Sequence, residues 1–170
     1  MITLEIPGKP IAKKRPRFWA KSVKGKAVSG VYKDADESTA EGKFSLLAWE
    51  QLRVQELDLP LTGALIVRCL FFLQRPKSHF GTGKNSDKLK PSAPEYHIIR
   101  PDIDNLLKFV CDALNGVAWK DDSQIVLKSG QKMYGDPSTS VIIDEFLPGG
   151  VLKYARRKKW LRNYQNYSRS

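Results

Sequence analysis

The stretch Arg100–Val126 reads RPDIDNLLKFVCDALNGVAWKDDSQIV. On a helical wheel with Asp102 at zero, Ile103, Leu106, Leu107, Val110, Ala113 and Leu114 fall between about 20° and 140°. That arc is one apolar face, so the spacing predicts a helix over Asp104–Asn115, with Gly116 just past its end. Asp104, Lys108 and Asp112 fall at roughly 200°, 240° and 280°, on the opposite side. Ile125–Tyr134 follows as a strand, and Thr139–Phe146 as another after the turn at Gly135-Asp136-Pro137.

Upstream, Thr3–Ile6 reads as a short strand ended by Pro7-Gly8, and Lys9–Gly30 as an irregular basic segment. Ala35–Leu57 reads as a helix, opened by Asp34, Asp36 or Ser38 and carrying Phe44, Leu47, Leu52 and Val54. Gly63–Gln74 is β-rich, and Arg75–Arg100 is a long polar loop of a kind that is uncommon in compact domains and usually either functional or disordered. Helices and strands mix without a regular βαβα rhythm. The expected class is therefore α/β (α+β): a mixed β-sheet flanked by helices.

The same stretch carries the chemistry. Asp102 precedes the helix and Asp104 opens it, so two carboxylates at i and i+2 can converge there. Asp121-Asp122 stands just before the next strand, from where one of the pair can turn back toward them. Carboxylates with a lysine suit metal-assisted phosphodiester hydrolysis, since a hard divalent cation takes oxygen ligands and keeps several waters. Bland readings fit the spacing too. Asp102 and Asp104 would serve as helix caps, Asp104 with Lys108 as an ordinary i,i+4 pair, and Asp121-Asp122 as turn acids. Asp112 lies roughly 12 Å along the axis from Asp104, too far to share an ion.

Charge narrows the partner. The chain has 170 residues, 29 Lys and Arg against 18 Asp and Glu, and a formal net charge of +11. Seven basic residues and no acid lie in Val151–Ser170, interleaved with Tyr154, Trp160, Tyr164 and Tyr167. A second acid-free block runs from Lys9 to Lys26 around Phe18 and Trp19. Cations among aromatics suit phosphate contact with base stacking, although a solvated tail has the same composition. The expected DNA contacts are Lys9, Lys13, Lys14, Arg15, Arg17, Arg156, Arg157, Lys158 and Lys159.

Several classes are excluded or disfavoured. Two cysteines, Cys69 and Cys111, make no disulfide framework or zinc spacing, and their apolar surroundings predict buried thiols in a reducing compartment. The apolar run Gly63–Leu73 is interrupted by Arg68 and too short to cross a membrane, and MITLEIPGKP lacks a signal-peptide core. A cytoplasmic location is expected. No GxxxxGK[ST] loop supports a phosphoryl or glycosyl transferase built on the Asp102-Ile103-Asp104 motif.

The runs PDIDNLLKFVCDALNG and DDSQI together resemble the RusA family of Holliday junction resolvases, and GKP…KKRPR is similar to the opening of many members. The resemblance implies the family's mixed α/β fold, a homodimer, and Mg²⁺-dependent paired nicking of four-way or related branched DNA, with Mn²⁺ as a substitute. It makes Asp102, Asp104 and Asp122 the catalytic, metal-binding aspartates and Lys108 the catalytic lysine. Asp121 is left without a role, and Asn105 and Gln124 with a supporting one at most. Two features depart from smaller members: the Arg75–Arg100 loop and the basic tail after Gly150. The implied organisation is a nuclease domain over 1–146 and a basic tail over 147–170. A non-catalytic protein that binds branched DNA or RNA is the competing reading.

Overall fold

The computed structural model describes residues 1–14, 17–23, 26–32, 35–55, 57–147 and 151–152. The strands are β1 (Ile2–Pro7), β2 (Arg17–Val23), β3 (Lys26–Tyr32), β4 (Leu65–Leu73), β5 (Ile125–Tyr134), β6 (Ser138–Leu147) and β7 (Val151–Leu152). The helices are α1 (Ala35–Arg53) and α2 (Ile103–Leu114). The main sheet runs β1-β6-β4-β5, with β7 paired onto the end of β6. The β1–β6 and β6–β4 pairs are antiparallel and β4–β5 is parallel, so the sheet is mixed as expected.

Alternation decides which face is covered. Ile2, Leu4 and Ile6 of β1, Leu65, Val67, Cys69 and Phe71 of β4, and Val141 and Ile143 of β6 are buried together with both helices. From α1 come Phe44, Ala48 and Leu52, at a strict spacing of four; Leu47 is partly buried, and Val54 lies beyond the helix and is exposed. Helix α2 buries more of its surface than the wheel's single arc. Phe109 and Cys111 are also buried, Phe109 because α2 meets α1 as well as the sheet. Phe44 and Phe109 pack edge to face, with ring centroids 5.7 Å apart. Both thiols are free and buried, and burial raises the pKa of each.

The register puts Lys128, Gly130, Lys132 and Tyr134 of β5 on the same face as the buried residues of β4. Gly130 is where the helix lands. A Cβ there would meet the Leu107 side chain at 3.1–3.2 Å, so the missing side chain lets α2 lie close against the strand.

One expectation needs correcting. Lys9–Gly30 is not irregular throughout, since β2 and β3 pair antiparallel from Arg17↔Tyr32 to Val23↔Lys26. The sequence carries the aromatic and β-branched residues of a hairpin (Phe18, Trp19, Val28, Val31), and the dense lysines obscure them.

The long loop between β4 and α2 has structure of its own. It makes two short 3₁₀ turns, Lys77–His79 and Gly83–Asn85, and the bridge Phe80↔Leu89. It docks on Tyr134, at the end of β5. The Arg75 guanidinium stands 4.2 Å from the ring centroid, and the His79 and His97 rings lie at 5.4 and 5.1 Å. His97 is only 7% exposed, and its Nδ1 is buried with no hydrogen-bond partner among the described residues. Burial, then the Lys132 charge, holds its pKa below the ordinary histidine value. A base whose pKa is depressed by folding favours the fold fully above its unfolded value of about 6.5, and this contribution is lost as pH falls through the lower folded value. We therefore predict that proteolytic nicking of the 75–100 loop rises between pH 7.5 and 5.5, and that His97→Phe flattens this response. An identical pH response in both proteins would contradict the docking account.

Candidate active site

Strand β5 fixes where α2 begins. Lys132 Nζ donates to the Ile99 carbonyl at 2.6 Å and to the Pro101 carbonyl at 2.8 Å, so the turn entering the helix is tied to the sheet. Asp102 then sits at the N-cap in extended conformation (φ −73°, ψ 142°), and its carbonyl accepts the first helical bond from Leu106 N–H. Its carboxylate does not bond the first turn. A cap is the ordinary use of an aspartate here, and this one is not used that way.

Asp104 and Lys108 follow on the solvent side of α2, both exposed, and they do not pair with each other. Among the described residues, Asp102, Asp104, Lys108 and Asp122 form no side-chain hydrogen bond or ion pair. Two carboxylates and a lysine on adjoining turns are thus left to water, which is a poor use of charge for stability.

The Asp121-Asp122 pair divides its work. Asp121 caps the short 3₁₀ turn Asp122–Gln124: its Oδ1 accepts from Ser123 N–H at 2.9 Å, and the Ser123 side chain first, then this backbone bond, lowers its pKa. Gln124 Oε1 accepts from Asp121 N–H at 2.9 Å, and Gln124 Nε2 donates to the Leu61 and Gly63 carbonyls, both at 3.0 Å. Both are exposed, but Asp121 has a structural role and Asp122 makes no side-chain hydrogen bond among the described residues. The Asp-x-x-Gln spacing of a capping box is a signal for this in the sequence itself. Lys132 also left a signal: it shares the face of Gly130 at strand period.

The carboxylates do not all meet. Among the described residues, no group of three His, Cys, Asp or Glu side chains is placed to hold a metal ion. The Asp122 charge helps raise the Cys111 thiol pKa, after burial has done most of the raising and against Lys128. Asp104 lies seven residues before Cys111, roughly 10 Å along the axis.

The profile of endodeoxyribonuclease RusA matches residues 7–144. The chain belongs to the RusA family. It is also similar to the uncharacterized protein YqaN of Bacillus subtilis (strain 168), with 30% identity over 150 residues that span 85% of this chain and 96% of YqaN. RusA proteins are Holliday junction resolvase-like endonucleases that generally use Mg²⁺. All four residues singled out above lie within the matched segment.

The donor set suits that ion. Asp102 and Asp104 offer carboxylate oxygens two residues apart that are unengaged among the described residues, and Mg²⁺ needs only one or two carboxylates when phosphate and water complete its shell.

The cations expected to hold DNA in this RusA member fare differently. Lys9 and Lys14 are exposed. Lys13 is a correction to that set. Its ammonium is bound by Glu41, by Glu37 at 3.0 Å and by Asp112 at 2.9 Å. Partial burial opposes its charge, but the three carboxylates outweigh burial and raise its pKa. Its backbone N–H donates to the Asn105 carbonyl at 2.9 Å, so Lys13 ties the N-terminal segment to α1 and α2. Arg15 and Arg156, Arg157, Lys158 and Lys159 lie outside the described residues, as does the side chain of Arg17. No helix among the described residues is long and apolar enough to cross a membrane.

The division within the acidic pair has a measurable consequence. Asp121→Ala should lower the melting temperature by a few degrees through loss of the cap, whereas Asp122→Ala should leave it within about a degree of the parent. Equal losses in a calorimetric scan would contradict the assignment.

Proposed function

We propose that this protein is a Mg²⁺-dependent, structure-selective endodeoxyribonuclease that resolves four-way and related branched DNA by paired nicks, acting as a homodimer in recombination and repair. The observation that carries the proposal is the unpaired set Asp102, Asp104 and Lys108 at the start of α2, inside a RusA-matched segment. Asp102 and Asp104 would hold the metal, with Asp122 as the third carboxylate. Bound there, Mg²⁺ supplies Lewis acidity at the phosphate and a water of lowered pKa.

The chain's own residues do the rest. Lys108, one turn on from Asp104, offsets the charge that builds on the phosphate in the transition state. Lys132 holds the Ile99 and Pro101 carbonyls and so ties down the backbone that leads into Asp102. Lys9, Lys14 and Arg17, with Arg156, Arg157, Lys158 and Lys159 of the tail, supply phosphate contacts that recognise shape rather than base sequence. A two-fold dimer presents two such sites to opposing strands of a four-way junction, matching the junction's own symmetry.

Asp104→Asn should reduce Mg²⁺-dependent cleavage of a synthetic four-way junction by at least about a hundredfold, since even outer-shell changes at metal sites cost 10–100-fold. Junction binding should persist, because a carboxylate is removed rather than a cation. Full cleavage by this variant would overturn the site assignment. Binding without cleavage by the unaltered protein, at stoichiometric levels with Mg²⁺ or Mn²⁺, would favour a non-catalytic branched-DNA binder.

A further inference from the structure

The loop from Arg75 to Arg100 holds six cations (Arg75, Lys77, Lys84, Lys88, Lys90, Arg100) against two acids, Asp87 and Glu95. A loop of mere spacer residues would have no reason to fold. This one is folded, largely without its charged groups. Backbone bonds close it: Gly81 N–H donates to the Lys88 carbonyl and Lys90 N–H to the His79 carbonyl, both at 2.9 Å. Two of the six cations do help hold it: Arg75, which with His79 and His97 rests the base on the Tyr134 ring and donates through Nη1 to the Pro94 carbonyl at 2.7 Å, and Lys90. Lys90 Nζ is spent on the Ser78 carbonyl. The ammonium groups of Lys77, Lys84 and Lys88 are exposed and have no partner among the described residues.

Position gives those three cations a purpose. Tyr134, the loop's docking post, and Lys132, which ties down the entry to Asp102, are two residues apart on one face of β5. A single rigid strand therefore sets both the loop and the candidate carboxylates. We infer that the loop is a fixed cationic arm that grips the phosphate backbone of a DNA arm leaving the cleavage point, through Lys77, Lys84 and Lys88. The inference rests on the nuclease reading above and adds to it a contact surface outside the N-terminal and C-terminal basic blocks. A polyphosphate is the partner that fits: the surface is cationic, its charges are unneutralised, and it flanks a site suited to phosphodiesters.

The test is the triple variant Lys77→Ala/Lys84→Ala/Lys88→Ala, with affinity for a four-way junction measured in EDTA across a salt series. Loss of three phosphate contacts should flatten the slope of log K against log[salt] by about 2.7 and weaken binding about tenfold or more near 0.1 M salt. The melting temperature should not fall, because the three side chains hold nothing in the fold. A stable variant with unchanged affinity and slope overturns the arm and leaves the nuclease reading standing. An unaltered protein that binds no branched DNA at low salt overturns both.

Discussion

Helix α2 lies close against the sheet where β5 carries no side chain, at Gly130 beneath Leu107. The rest of the molecule is arranged around that contact. Leu106, Phe109, Val110, Ala113 and Leu114 are driven inward between the sheet and α1. Each fully buried large side chain among them contributes about 1.5–3 kcal/mol. With the inward arc fixed, the remaining positions of the first turns have nowhere to face but water. Asp104 and Lys108 are exposed as a consequence of packing, and Lys132 sets Asp102 at the same end by holding the two carbonyls before it. A strand that packs a helix on one side chain position and anchors its entry two residues later gives a rigid mount for exposed carboxylates.

Charge is divided between two uses. One group of ionic residues is committed to the fold. Lys13 gathers Glu37, Glu41 and Asp112, Arg68 Nη1 meets the buried Asp144 at 3.0 Å, and Asp121 is locked into a cap with Gln124. The other group has no partner among the described residues: Asp102, Asp104, Lys108 and Asp122 around α2, and Lys77, Lys84 and Lys88 on the loop. The two groups interleave. Asp112 stabilises while Asp104, eight residues earlier on the same helix, does not; Asp121 stabilises while its neighbour Asp122 does not. This division is what a chain needs if it is to hold a metal and a polyanion without dismantling itself when either departs.

Much of this was legible from residue order. The α2 helix was expected over Asp104–Asn115 and spans Ile103–Leu114, and β5 was expected and observed over Ile125–Tyr134. Strong periodicity and a glycine stop make such elements readable. The β2–β3 hairpin was not legible, because its lysines mask an aromatic and β-branched pattern. The pairing of Lys13 was not legible either. Its three carboxylates come from α1 and α2, distant in sequence, and composition placed it among the free cations instead. The carboxylates at Asp102, Asp104 and Asp122 were legible as a pattern, but their lack of internal partners needed the fold. Convergence on one ion was expected as a possibility of the chain path, and the three do not form a closed cluster. Mg²⁺ sites that borrow phosphate oxygens do not require one.

The central claim is that the start of α2 is where metal and phosphate meet. Its most direct test is the anomalous difference map of a crystal of the protein with a four-way junction and Mn²⁺. The account predicts a peak bridging the carboxylates of Asp102 and Asp104 and a backbone phosphate, with Asp122 turned toward it. A junction bound with its phosphates away from α2, or Mn²⁺ density confined to other carboxylates, would contradict it.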